Sequence, residues 1–316
     1  MTQLFELIAA TLWFWTFSIG FLVSIITSIL ILFCPPLRWV LVLYLLWIWY
    51  DRKTSERGGR PISWVRTFLW WRLMKNYFSH KLISNEDDEF DPKKNYLFAC
   101  YPHGMLPVGT FASFVDGCRS IFPKHEAYTT VLNIQFWMPV IRELFLSIGA
   151  VSVSGPSIKY LLSNEKGGNI VSILIGGADE SKYSKPGKYK IILNKRKGFV
   201  KMALQTGAPL VPVFSFGETD VFDQVDFPGF GCIRDLVKNT LQIGLVIPKG
   251  KYFICPQRVP VVTVVGSPIN VTKTPNPTNE QIDELHRQFV DSINRLFDQY
   301  KYRYAKNPED TVLEIV

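Results

Sequence analysis

Histidine is scarce in this chain of 316 residues, with only His80, His103, His125 and His286 present. That scarcity argues against a three-histidine metal centre. Cysteine is sparse too: five residues, an odd number, with no C-x-x-C pair. Neither a disulfide framework nor a zinc site follows from such spacing, and the thiols read as reduced and cytosol-facing. No G-x-S-x-G nucleophile elbow occurs; "VFSFG" around Ser215 has one of the two glycines. Internal repeats, low-complexity tracts and nucleic-acid motifs are missing. The formal charge of +8 therefore fits an anionic membrane surface or a phosphate-bearing substrate rather than nucleic acid. Charge itself is missing from Leu7 to Leu37, a run long enough to signal a transmembrane segment.

Pro35-Pro36 predicts the end of that first segment near Cys34. A second apolar run, Trp39 to Tyr50, has 12 residues. As helix it spans about 18 Å, short of a hydrocarbon core of roughly 30 Å. The expectation is a membrane hairpin over residues 1–50, with segments at about 8–34 and 39–50, the second crossing or re-entrant. A cleaved signal peptide fits poorly, because the run is too long and lacks a basic start. Asp51-Arg52-Lys53, Arg57 and Arg60 follow at once, and the positive-inside bias puts them, and with them the N-terminus, in the cytosol. Residues 51–84 read as an interfacial basic and aromatic segment. Within it "SWVRTFLWWRLMKNYFSH" (63–80) suits an interfacial amphipathic helix, or a domain helix with one wet face.

The polar loop "NEDDEFDPKKN" (85–95) opens the main unit, 85–316, expected in the cytosol. There short apolar runs alternate with helical patterns. Strands are predicted at 96–100, 127–133, 169–175, 189–193, 210–214 and 260–265, and helices at 107–116, 137–148, 156–163, 197–206 and 232–242. Such alternation predicts an α/β domain with a largely parallel sheet. The last helix carries a capping box, Thr278 with Gln281, and Ile282, Leu285, Phe289, Ile293, Leu296 and Tyr300 at helical spacing.

Three stretches carry candidate chemistry. In "NYLFACYPHGMLPVG" (95–109) an apolar run stops at Tyr101-Pro102-His103-Gly104. Pro102 fixes its own backbone and Gly104 leaves the chain free to turn, so the pair can mount one imidazole at a strand end. A plain turn has the same letters. In "NIVSILIGGADES" (169–181) another apolar run ends in Gly176-Gly177 with Asp179 and Glu180 behind. If both runs belong to one sheet, a carboxylate comes near His103. In "NKRKGFVKMALQTGAPLVPVFSFGE" (194–218), Lys195, Arg196 and Lys197 precede Gly198 and a predicted helix. A basic cluster there suits phosphate, as it also suits a solvated turn. "HRQFVD" (His286 to Asp291) has the letters of the acyltransferase His-x-x-x-x-Asp motif. On a helix five residues turn by about 140°, so the two side chains cannot meet.

"YPHG", "GGADES", the long stretch from Pro186 to Glu218 and "TVVGSPINV" together resemble the type-2 diacylglycerol acyltransferase family, which includes monoacylglycerol and wax-alcohol acyltransferases. The resemblance runs from the hairpin to the C-terminus. It implies an acyltransferase-type domain of an endoplasmic-reticulum enzyme that moves a fatty acyl group from acyl-CoA to a lipid hydroxyl. It implies a catalytic His103 and maps the glycine-pair-plus-glutamate motif onto Gly176, Gly177 and Glu180. Many members have His-Pro-His-Gly; here Tyr101 takes the first position, so His103 must act alone. A Tyr-Phe-Pro motif of the family stands here as Tyr77-Phe78-Ser79.

The expected activity is transfer to diacylglycerol, then in order of preference to monoacylglycerol or a long-chain alcohol. A membrane lipid-binding scaffold without catalysis is the rival of another class. Acyl-CoA is a substrate, held in part by Arg196 and Lys197, and no cofactor is expected. A hairpin with both ends on one side also suits a droplet monolayer, and a homo-oligomer is left open. His103 would be the general base, with Glu180 hydrogen-bonded to its other ring nitrogen. The competing chemical route acylates Cys100 first, with His103 as its base.

Overall fold

The computed structural model describes residues 2–84, 89–225 and 246–316. Two helices open it, α1 (Thr2–Leu32) and α2 (Pro35–Tyr50), separated at Phe33 and Cys34. The proline pair breaks the chain where its missing N–H groups require. Among the described residues α1 alone is long and apolar enough to cross a membrane, by length and composition, and its most apolar window is 17% buried. Its two halves differ. Ala10, Trp13, Phe14 and Phe17 are buried on the domain, Glu6 pairs with Arg258 at 2.5 Å, and Trp70 Nε1 donates to Ala9 O at 2.7 Å. From Leu22 onward large apolar side chains lie exposed, Ile26 at 57% and Leu30 at 65%.

The segment 63–80 is not one amphipathic helix. It divides into α3 (Ser63–Arg66) and α4 (Leu69–Tyr77). Arg66 is the reason: it is buried, donates to Val115 O, Phe114 O and Ala127 O at 3.1 Å each, and pairs with Glu126. A guanidinium with four partners can be buried where a free one could not. Trp71, Met74 and Tyr77 of α4 are buried as well.

The main unit is α/β. Its large sheet has seven strands: β1 (Lys81–Ser84), β2 (Tyr96–Tyr101), β3 (Glu126–Val131), β4 (Ala150–Ser152), β5 (Asn169–Leu174), β7 (Leu210–Phe216) and β10 (Val262–Val265). Their order across the sheet is β1-β10-β7-β2-β5-β3-β4. Every neighbouring pair is parallel except β10 with β7. The short β6 (Tyr189–Ile191) lies outside this sheet and pairs with β11 (Leu313–Ile315), while β8 (Asp223–Gln224) pairs with β9 (Pro248–Lys249).

Connecting helices cover the two faces. α5 (Val108–Phe111) continues through a π-helical stretch, Ala112–Gly117, into α6 (Cys118–Ile121). Then come α7 (Ile141–Ser147), α8 (Gly155–Leu162), the single turn α9 (Ala178–Ser181), α10 (Gly198–Thr206) and the closing α11 (Asn279–Tyr304). The helix expected at 232–242 lies outside the described residues. The α11 capping box is formed, Gln281 N donating to Thr278 Oγ1 at 3.3 Å and Thr278 N to Gln281 Oε1 at 2.9 Å. Its apolar face packs on one side of the sheet with α8 and α10. Burying Phe289 in full contributes about 1.5–3 kcal/mol.

Candidate functional site

Alternation along β2 fixes what its end can present. Leu97, Ala99 and Tyr101 enter the core under α11, and Tyr96, Phe98 and Cys100 the core under the π-helical stretch and α6. Neighbouring strands end beside it, with Cys100 opposite Leu174 of β5 and Tyr101 opposite Phe214 of β7. In open parallel sheets the carboxyl ends of the strands are where ligands bind. Here three adjacent ends carry Pro102-His103-Gly104, Gly176-Gly177 with Glu180, and Gly217-Glu218.

Glu180 is 2% exposed. Its Oε2 accepts the backbone N–H of His103 at 2.7 Å and its Oε1 that of Ile192 at 2.7 Å. The expected bond to the imidazole is therefore corrected: Glu180 holds the main chain of His103, not its ring. A carboxylate aimed at two converging N–H groups is already satisfied. Gly176 makes room for it, since a Cβ there would fall inside the Glu180 carboxyl group. Burial pushes the Glu180 pKa up to about 8, opposed by the two N–H bonds and by Arg196.

The ring of His103 takes another partner. Nδ1 lies 3.1 Å from Gly104 O, and a carbonyl can only accept. Nδ1 therefore carries the proton and Nε2 the lone pair. Burial lowers the His103 pKa, with the Gly104 contact opposing. The neutral ring is thus favoured, in the tautomer a general base needs.

Glu218 is what reading the letters missed. It is 2% exposed, and its two oxygens accept the N–H groups of Val108 and Gly109 at 2.7 Å each. Gly104, at φ +62°, lies against it; a Cβ there would sit 3.0 Å from Glu218 Cγ. Two buried carboxylates thus bracket the loop, Glu180 at His103 and Glu218 where α5 begins. Burial pushes Glu218 up to about 8 as well. A signal was present: strand, glycine, acid recurs in "LIGGADE" and "FSFGE".

The other candidates sort by distance from this loop. Pro102 follows a cis peptide bond and is buried. Gly177 precedes α9. Arg196 pairs with Asp179 at 2.7 Å, which places it beside Glu180. Lys197 pairs instead with Asp283 of α11 at 2.6 Å, so the two cations do not act as one cluster. Tyr101 buries a hydroxyl that has no hydrogen-bond partner among the described residues. Cys100 is 1% exposed and burial pushes its thiol up to about 12, which disfavours the thiolate an acyl-cysteine route requires. Ser215 is buried and bonded to Thr263 at 2.9 Å. On α11, His286 bonds Leu193 O and Asp291 pairs with Arg287.

A family model described as diacylglycerol acyltransferase matches residues 30–316. The chain belongs to that family. Human 2-acylglycerol O-acyltransferase 1 is 41% identical over 310 residues, covering 94% of this chain and 89% of the relative. Human acyl-CoA wax alcohol acyltransferase 2 is 37% identical, with 96% and 94% covered. Diacylglycerol O-acyltransferase 2 of Danio rerio is 38% identical, with 89% and 81% covered. The crystal structure of the 1-acyl-sn-glycerophosphate acyltransferase PlsC from Thermotoga maritima is similar at a TM-score of 0.43 and 15% identity, covering 96% of this chain and 100% of that one. Like its family, this diacylglycerol acyltransferase homologue is an O-acyltransferase acting in lipid metabolism.

Proposed function

We propose that this family member transfers a fatty acyl group from acyl-CoA to the free hydroxyl of diacylglycerol, giving triacylglycerol. The observation that carries the mechanism is the His103 ring, its Nδ1 engaged by Gly104 O at a strand end. Nε2 takes the acceptor's hydroxyl proton as the oxygen attacks the thioester carbonyl. The tetrahedral intermediate collapses with loss of the CoA thiolate, and the imidazolium returns the proton to sulfur. Glu180 and Glu218 keep the loop in place throughout. Arg196 is suited to the phosphates of CoA, with Lys197 farther out at the start of α10. No cofactor takes part.

A second acceptor, 2-acylglycerol, is favoured by one observation: the relative of that name is 41% identical, the diacylglycerol enzyme of Danio rerio 38%. A long-chain alcohol comes third. The proposed organisation is a membrane hairpin over 1–50, an interfacial segment over 51–84 and a cytosolic catalytic domain over 85–316. α2 has 16 residues, about 24 Å as helix, which suits a short or re-entrant passage. Residence in the endoplasmic reticulum, with access to lipid droplets, accords with that anchor.

Purified protein given labelled acyl-CoA and each acceptor in turn tests the proposal. Fastest transfer to diacylglycerol is expected. Faster transfer to 2-acylglycerol would install the second reading, and no transfer to any acceptor would leave a lipid-binding scaffold.

A further inference from the structure

Between α3–α4 and α7 runs a groove of about 490 Å³, within the size range of small-molecule sites. Trp64, Phe68, Trp71, Leu144 and Leu146 make it apolar, and its charged lining residues are Arg60 and Glu143. Those two are ion-paired at 3.3 Å. They belong to a closed set in which Asp51 pairs with both Arg60 and Arg142, and Arg142 with Glu143. Two guanidiniums meet two carboxylates, so the charges cancel.

We propose that this groove is an entry site, which takes an acyl chain of the neutral glycerolipid acceptor from the membrane before the lipid moves on to His103, with the polar end of the entering lipid at Arg60 and Glu143. The identity of the lipid rests on the acyltransferase reading above; the site itself rests on geometry. The polar end is tied to the end of α2: Arg60 lies over the Trp47 ring at 5.7 Å, and Tyr44 Oη accepts from Val140 N at 3.1 Å. Trp47, Trp49 and Tyr50 form the kind of aromatic belt that marks headgroup level. The groove therefore opens beside the helices that carry the exposed apolar surface, and its rim continues that surface, with Trp64 70%, Phe68 54% and Val140 72% exposed. Contiguous apolar exposure of this kind marks a lipid or partner contact. A concave lining takes a single chain, where a flat one would take bilayer tails at large. The cancelled charges suit a hydroxyl-bearing neutral head, since an anionic head would meet Glu143 and an already engaged Arg60. Val140, β-branched, holds φ +65° at the rim, a conformation the surroundings must impose. The floor leads toward the chemistry: Trp71 packs on Phe17 at 6.3 Å, and Phe17 on Phe111 of α5 at 5.1 Å.

The test uses the full chain in phosphatidylcholine nanodiscs with diacylglycerol bearing a photoactivatable diazirine in one acyl chain, and peptide mapping after irradiation. Label is expected on residues 62–71 and 140–147, displaced by unlabelled diacylglycerol. Leu144→Trp, which fills the groove, should cut that label and raise the acceptor KM about tenfold, as expected when a couple of methylenes lose their burial, with the acyl-CoA KM unchanged. His103→Ala should keep the label while losing transfer, which separates failure of the groove from failure of the catalytic reading. Label elsewhere, or equal label from diazirine phosphatidylcholine in the wild-type protein, would overturn the proposal without requiring any variant to fold.

Discussion

Replacing Glu180 by glutamine keeps shape and removes charge, at the point where the loop carrying His103 is held. Above its raised value of about 8, where the group is ionised, the carboxylate accepts two converging N–H groups, from His103 and Ile192, at 2.7 Å each. An amide offers one oxygen and one NH2, so one N–H must face another donor. A hydrogen bond to a charged group is worth about 1.5–3 kcal/mol, and a buried donor left unmet costs a similar amount. At 1.36 kcal/mol for each tenfold, loss of the His103 anchor predicts a fall in kcat of about 10- to 150-fold. The chemistry of the ring survives, because Gly104 O rather than Glu180 sets its tautomer. Glu180→Gln should therefore lose less than His103→Ala. Single-turnover transfer from labelled acyl-CoA in nanodiscs, run above about pH 8 so that Glu180 is ionised, reads this directly, with Tm as the control for folding. An unchanged kcat in a folded Glu180→Gln would refute the anchoring role. A loss as deep as that of His103→Ala would show that the glutamate takes part in proton transfer.

His103→Ala should lower kcat by about 10²–10⁴ while Cys100→Ala stays near normal; a dead Cys100→Ala with acyl label trapped on the wild-type protein would reverse those roles. Because burial lowers the His103 pKa from 6.5, the acid limb of kcat/KM should fall below that value. Glu180 and Glu218 are raised from 4.5 to about 8. Each then stabilises the fold most below its unfolded value and loses that contribution as pH climbs to about 8, while the carboxylate that accepts the loop N–H groups fills as pH passes through about 8. Tm should fall as kcat rises there, and parallel changes in the two would contradict this assignment. Changing Arg196 and Lys197 together to alanine should raise the acyl-CoA KM several-fold, on the order of 1–2 kcal/mol, most of it from Arg196 beside Glu180; an unchanged KM removes them from the donor site. Asn270-Val271-Thr272 is the one sequon with an allowed middle residue, and glycosidase treatment should not shift the protein, since glycan at Asn270 would put the domain in the lumen.

Local elements were legible in the letters. Apolar runs bounded by glycine and proline placed β2, β5, β7 and β10 close to their observed ends, and the capping letters placed the start of α11, because such signals act over a few residues. The strand ends at His103 and Gly176 were legible for the same reason, and their adjacency followed once both strands joined one sheet. Tertiary structure alone decided which atoms meet. Glu180 reaches the backbone of His103 rather than its ring, since its two oxygens are taken by the N–H groups of His103 and Ile192. Glu218 arrives from more than a hundred residues away and satisfies two N–H groups that no local pattern pairs. Arg66 breaks the amphipathic stretch at 63–80 because its four partners lie on other elements. Lys197, three letters from Asn194 and one from Arg196, turns to α11 because Asp283 stands there. A hydrogen bond or ion pair selects its partner by position in three dimensions, and a side chain's letter carries only the capacity to make one.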